Sequence, residues 1–201
     1  MSKPRIVDLF CCAGGGAVGY YRAGYEVVGV DIKPQPHYPF EFHQADALEF
    51  YAEHWREFDV AHASPPCQAY TAMQHICKNG HNHPDLVDPT RQLLKSSGKP
   101  FVIENVIGAP LRIDLMLCGT MFGLPIIRHR IFESNIPMPL LVPVCHHEKV
   151  YDPWHKDRCR ERAKLSSAMK IDWFMTRQEV REAIPPAYTE FIGRQFITRI
   201  L

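Results

Sequence analysis

A chain of 201 residues, 46% hydrophobic and 22% charged, has room for one domain with a substantial core and excludes an extended or low-complexity protein. A formal charge of +1 gives no electrostatic case for nucleic acid on its own, and seven cysteines, with Cys11 and Cys12 adjacent, exclude a secreted disulfide scaffold. No apolar run approaches the ~18 residues of a membrane span and Met1-Ser2-Lys3-Pro4-Arg5 has no signal-peptide core, so a cytoplasmic protein with reduced thiols and no membrane partner is expected.

In chain order, Arg5-Ile6-Val7-Asp8-Leu9-Phe10 reads as a buried strand, followed by the turn Cys11-Cys12-Ala13-Gly14-Gly15-Gly16 and a helix from Ala17 to Ala23 closed by Gly24. Strand, glycine turn and helix open a nucleotide-binding βαβ unit. The second strand, from Glu26, ends at Asp31, where an acid can reach ribose hydroxyls. A third strand is expected to finish at His43-Gln44-Ala45-Asp46-Ala47. Phe58 to Ala63 reads as a fourth, ended by Pro65-Pro66, because proline has no amide hydrogen for a ladder. That places Cys67 at the strand's C-terminal end, the edge where open α/β sheets bind ligands. Residues Thr71 to Pro89 have loop composition. Asp88 is expected to cap a helix reaching Ser97, which Gly98-Lys99-Pro100 ends. Phe101 to Val106 is a strand carrying Glu104, and Leu115 to Cys118 and Arg130 to Glu133 are two more. Ser134 to Thr176 reads as an irregular insertion, and Thr176 to Ala183 and Tyr188 to Ile200 as closing helices. The segment from Lys149 onward is net basic, as phosphate contacts or a solvated helix face would require.

Asp-Leu-Phe-Cys-Cys-Ala-Gly-Gly-Gly from Asp8, Pro65-Pro66-Cys67-Gln68, Glu104-Asn105-Val106 and Arg128-His129-Arg130, in this order, resemble the DNA cytosine 5-methyltransferase family. The resemblance runs from Asp8 to about Gln195. It implies an α/β fold: the S-adenosylmethionine-dependent methyltransferase Rossmann-like sheet, mostly parallel, with helices on both faces, in one catalytic domain over 1–201. It implies S-adenosyl-L-methionine as cofactor, bound by Phe10, Gly14, Gly16, Asp31, Asp46 and Pro65. It implies DNA as partner, with a flipped cytosine attacked at carbon 6 by Cys67, so that carbon 5 can take the methyl group. Glu104 would bind N3 and the exocyclic amine, Arg130 the base carbonyl, and Arg128 would support Arg130 or reach phosphate. Gln68 and Asn105 would contact the nucleotide. The reactive form is a thiolate, which needs a lowered pKa or a nearby cation, and a carboxyl in a partly dry pocket can be raised enough to protonate N3.

The sequence departs from the family pattern in four places. Ile126 stands where Gln is usual, Asp31 where Glu is usual, and Phe191-Ile192-Gly193-Arg194-Gln195 matches the closing Gly-Asn motif loosely. About forty residues, 134–176, replace a target-recognition domain, which implies short or relaxed specificity, a single-stranded substrate, or a specificity partner protein. The same chemistry on RNA or a modified pyrimidine, and a non-catalytic nucleic-acid-binding accessory protein, are the alternatives. Two groups suggest zinc, Cys145-His146-His147 with Cys159 and His75, Cys77, His81 with His83, but neither has paired C-x₂-C spacing, so no metal is expected. Trp154 and Trp173 are candidates for base stacking or for the core.

Overall fold

The computed structural model describes residues 2–70, 85–138, 142–148 and 162–200. Seven strands form one sheet: β1 (Arg5–Leu9), β2 (Glu26–Asp31), β3 (Glu41–Gln44), β4 (Val60–Ala63), β5 (Phe101–Asn105), β6 (Leu115–Leu117) and β7 (Arg130–Ser134). Their spatial order is β3-β2-β1-β4-β5-β7-β6. The first five are parallel, while β7 runs antiparallel to both β5 and β6. Both faces are covered, which is why β1, β2, β4 and β5 read as nearly continuous apolar runs rather than alternating ones.

The covering helices are sorted by the pleat. Ile6, Val27, Val60, Val102 and Phe132 point to the face packed by α1 (Gly15–Ala23) and α6 (Pro186–Ile200), through Tyr20, Tyr188, Ile192 and Phe196. Val7, Val28, Ala61, Phe101 and Ile103 point to the other, packed by α2 (Ala47–His54) and α3 (Val87–Ser97) through Tyr51, Val87 and Leu94. A third cluster gathers Ala13, Leu124 and Ile126 with Leu165 of α4 (Arg162–Ala168), Val180 of α5 (Arg177–Glu182), and Met169 and Met175 from the stretch between the two helices. The usual Gln position is therefore filled by a core side chain, and Ile126 does not face substrate.

Three expectations change. The third strand ends at Gln44, and Asp46 instead caps α2, a helix not anticipated, with its Oδ1 accepting from Leu48 and Glu49 amides at 2.8 and 3.1 Å. Helix α3 starts at Val87, so Asp88 lies in its first turn and pairs with Arg91 rather than capping; Asp85 accepts from the Val87 amide at 3.0 Å. The insertion contains α4, whose apolar side is buried. In order 3-2-1-4-5 the strand order reverses between the parallel strands β1 and β4, so the crevice beyond their C-terminal ends is the topological switch point. The glycine turn leaves β1 there and Pro65-Pro66-Cys67 leaves β4 there.

Candidate active site

One wall of the crevice is a strained turn. Phe10 (φ 58°), Cys12 (φ 45°) and Gly14 (φ 87°) all adopt left-handed backbone, which costs a non-glycine residue on the order of 1 kcal/mol or more. The strain is held by bonds from outside the turn: Cys11 N to Val30 O at 3.1 Å, Cys12 N to Asp31 Oδ2 at 3.0 Å, and Trp173 Nε1 to Ala13 O at 3.1 Å. Trp173 is thus a brace for the turn; Trp154 lies outside the described residues. A Cβ on Gly14 would come within 2.8 Å of Pro39, whereas one on Gly16 would meet nothing closer than 3.6 Å. A methyl group at 16 would sit in ordinary contact with Thr189, His62 and Ile184, so the protein itself does not require glycine there.

Asp31 Oδ1 accepts from the Lys33 amide at 2.9 Å, so each carboxylate oxygen has one backbone donor and a further lone pair. Beside it, Ile32 is 66% exposed, an apolar surface at the crevice mouth that sequence reading missed although it directly follows the strand-end acid. Asp46 is exposed, with Oδ1 occupied as the α2 cap. Asp8 was also missed. Buried in β1, its carboxyl is pushed well above the usual range by burial and then by Asp31 and Glu104. Its signal was a lone acid inside an apolar run. His62, in β4, is held down to about 3 by burial; Tyr20 Oη contacts its Nδ1 at 2.9 Å and Ser64 Oγ its Nε2 at 3.0 Å, fixing the exit of the strand.

The other wall comes from β4, β5 and β7. Asn105 Nδ2 donates to Pro65 O at 2.9 Å, and Asn105 Oδ1 accepts from the Val106 amide at 2.8 Å. The buried Asn105 side chain therefore ties the Pro-Pro-Cys turn to β5, and Pro65 is buried under that tie. Gln68 is exposed beyond Cys67. Arg130 Nε stands 2.9 Å from Glu104 Oε1, both side chains nearly buried, in an ion pair that is not an aligned hydrogen bond. Arg130 Nη1 also donates to His129 O at 2.8 Å. Arg128 is 2% exposed and donates through Nη2 to Arg181 O at 2.7 Å; its Nε has no partner among the described residues. Burial, then the neighbouring Arg130, lowers its pKa to about 9. A guanidinium this enclosed does not reach phosphate, so of the two expected roles only support of the site fits.

Cys67 is half-buried. Burial raises its thiol above the ordinary value; Arg130 and Arg128 pull it down and Glu104 pushes it up. The expected cation is present, but desolvation outweighs it. Three residues after Cys67, Tyr70 Oη donates to Asp85, joining the residues that flank 71–84. The loop expected over Thr71 to Pro89 lies, apart from its last residues, outside the described residues, as do His75, Cys77, His81 and His83. Cys145 and His147 meet Cys118 and His129, residues the sequence reading did not group with them, and Cys159 is not among the described residues. Near the C-terminus, Gly193 packs on Ala23 and its carbonyl accepts from Tyr25 Oη at 3.1 Å, a helix-packing position rather than a ligand contact.

Comparison places this geometry among known proteins. The family model for C-5 cytosine-specific DNA methylase matches residues 4–110. Among solved structures, the chain is similar to the Entamoeba histolytica methyltransferase EhMeth, with 18% identity, 75% of this chain and 58% of that one covered, and a TM-score of 0.50. A mutant of Spodoptera frugiperda DNMT2 gives 18% identity, 75% and 55% coverage and a TM-score of 0.49, and S. pombe Dnmt2 methyltransferase 15%, 75%, 52% and 0.44. The chain thus spans little more than half the length of these structures, and at such identities the EhMeth likeness speaks to the fold alone. No curated protein matches the chain.

Proposed function

The chain belongs to the C-5 cytosine-specific DNA methylase family, and from that premise we propose that it transfers a methyl group from S-adenosylmethionine to carbon 5 of cytosine in DNA through a covalent adduct of Cys67. The observation that carries this reading is the Glu104–Arg130 ion pair, enclosed at the strand ends and acting on the Cys67 thiol. Addition of the Cys67 sulfur to carbon 6 breaks the 5,6 double bond and sends its electron pair toward the ring. Glu104 relays to N3 the proton that the thiol gives up, so that it begins and ends the step ionised, and Arg130 holds both Glu104 and the base carbonyl. Carbon 5 then becomes the nucleophile, and loss of its proton after methylation re-forms the double bond and expels the thiolate.

The crevice between β1 and β4 fits the cofactor. Asp31 keeps lone pairs for ribose hydroxyls, Ile32 offers an apolar surface to adenine, and Phe10, Gly14, Gly16 and Pro65 shape the walls. Bound there, S-adenosylmethionine would supply an electrophilic methyl group on a sulfonium. Because burial keeps the thiol protonated, Cys67 must lose its proton once the base is seated; the arginines at its side stabilise the thiolate.

Transfer of tritiated methyl to duplex DNA, single-stranded DNA and RNA, followed by nucleoside analysis, tests the reading. Label in 5-methyl-deoxycytidine is expected. Label confined to RNA would move the acceptor, and no label with cofactor binding intact would overturn the reaction. DNA containing 5-fluorocytosine should trap the wild-type enzyme covalently, since fluorine cannot leave as the proton does, and should release Cys67→Ala.

A further inference from the structure

Away from Cys67, four side chains from three parts of the chain bring their donor atoms within 4.8 Å of one another: Cys118, His129, Cys145 and His147. Cys118 Sγ lies 3.7 Å from His147 Nε2, and Cys145 Sγ lies 3.8 Å from His129 Nε2. The two imidazoles stand nearly perpendicular, at 79°, with centroids 5.0 Å apart. A tetrahedral zinc ion with bonds of about 2.3 Å to sulfur and about 2.0 Å to nitrogen separates its ligand atoms by roughly 3.4–3.8 Å. The cluster is already close to those separations.

We propose that Cys118, His129, Cys145 and His147 form a closed, structural zinc site. Two thiols and two imidazoles without a carboxylate are the donor set that selects a tetrahedral borderline-soft ion. Weak S–H···N contacts account for two pairs but not for all four donors facing one point. Binding releases one proton from each thiol to solvent, leaves both imidazoles neutral, changes no oxidation state, and makes the zinc-dithiolate unit electrically neutral. Cys118 is wholly buried and Thr120 Oγ1 donates to its sulfur at 3.5 Å, an outer contact of the kind that orients a ligand. With four protein ligands there is no open position for a substrate.

The site lies where the chain needs a clamp. Cys118 follows β6, His129 sits between the two arginines that enter β7, and Cys145 and His147 belong to 142–148, beyond β7. Zinc would pin that segment to the backbone that aims Arg130, whose Nη1 already donates to His129 O. Sequence spacing concealed it because no two ligands form a C-x₂-C pair.

Reduced full-length protein, stripped with chelator and reloaded, should take up about one zinc per chain. The Co2+-loaded form should show tetrahedral d–d bands with thiolate charge transfer, and X-ray absorption of the zinc form should give two sulfur and two nitrogen neighbours. Cys145→Ala and His147→Ala should each lose the tight metal, while His147→Cys, at an exposed position, should keep it and raise the thiolate charge-transfer intensity by about half. Absence of metal from reduced wild type overturns the inference. So does a metal that survives both alanine changes, or a shell with oxygen ligands. The wild-type absorption spectrum decides the matter even where a variant misfolds, and none of these readouts depends on methyl transfer.

Discussion

At Cys67 two opposing influences act on the thiol, and their balance can be read by chemistry. Burial raises the thiol and Arg130 lowers it, with Glu104 acting against Arg130. Arg130→Met removes the favourable cation and leaves Glu104 without its partner, and both effects push the thiol further up. Iodoacetamide alkylation of Cys67, followed across pH by mass spectrometry, should have an alkaline midpoint in the wild type and a higher one in the variant. A downward move would show that Arg130 does not act on the thiol.

Between elements, the helix pair α1 and α6 shows what a small residue does when backbone is the neighbour. A Cβ on Gly19 would lie 2.0 Å from Thr189 Oγ1 and 2.1 Å from Pro186 O, while Thr189 Oγ1 donates to Gly16 O at 2.7 Å. Gly19→Ala must part the helices, and a loss on the order of 3 kcal/mol is expected in urea unfolding. On the opposite side, Arg91 joins α3 to β7, its Nε and Nη2 each 2.9 Å from the Glu133 carboxylate. Burial opposes ionisation of Glu133, but Arg91 and the Arg112 amide hold its pKa below the usual carboxylate range. A depressed folded pKa gives stability that is present above about pH 4.3, the unfolded value, and lost as pH falls through the folded one. Arg91→Met should therefore lose about 3 kcal/mol at pH 7, and the gap to wild type should narrow as the pH drops below about 4. Equal acid sensitivity in both proteins would count against this role.

The same elements explain what the sequence could and could not reveal. Strands buried on both faces announce themselves as apolar runs, and the turn, Cys67 and Glu104 lie at their ends because the fold places strand ends together. Helix α2 was missed because its aromatic residues obscure the 3.6-residue period, although Asp46 with Glu49 three residues later is a capping signal. The role of Asn105 was not legible because its partner, a backbone carbonyl forty residues earlier, leaves no trace in residue identity. The grouping of Cys118 and His129 with Cys145 and His147 depends on β6 and β7 lying side by side, a pairing that local spacing cannot report.

For the whole molecule, the proposed reaction requires side chains that read DNA. The residues between β7 and α6 that are described use their apolar side chains internally: Leu165, Met169, Met175 and Val180 pack around Ala13 and Ile126, and Trp173 braces the glycine turn. Among the described residues, few of these side chains are left to form a second lobe across the crevice. Base-edge readout requires several side chains held at groove edges, each good bidentate pair worth about 1–3 kcal/mol of discrimination. Affinity must then come mainly from phosphate contacts, which favour no sequence. Sequencing of 5-methylcytosine after exhaustive methylation of genomic DNA should therefore give a consensus of only about two or three base pairs around the target. Single changes at its outer positions should slow methylation less than about tenfold, about 1.4 kcal/mol. A fixed recognition site of six base pairs would require readers that these residues do not supply, and would point to a partner protein carrying them.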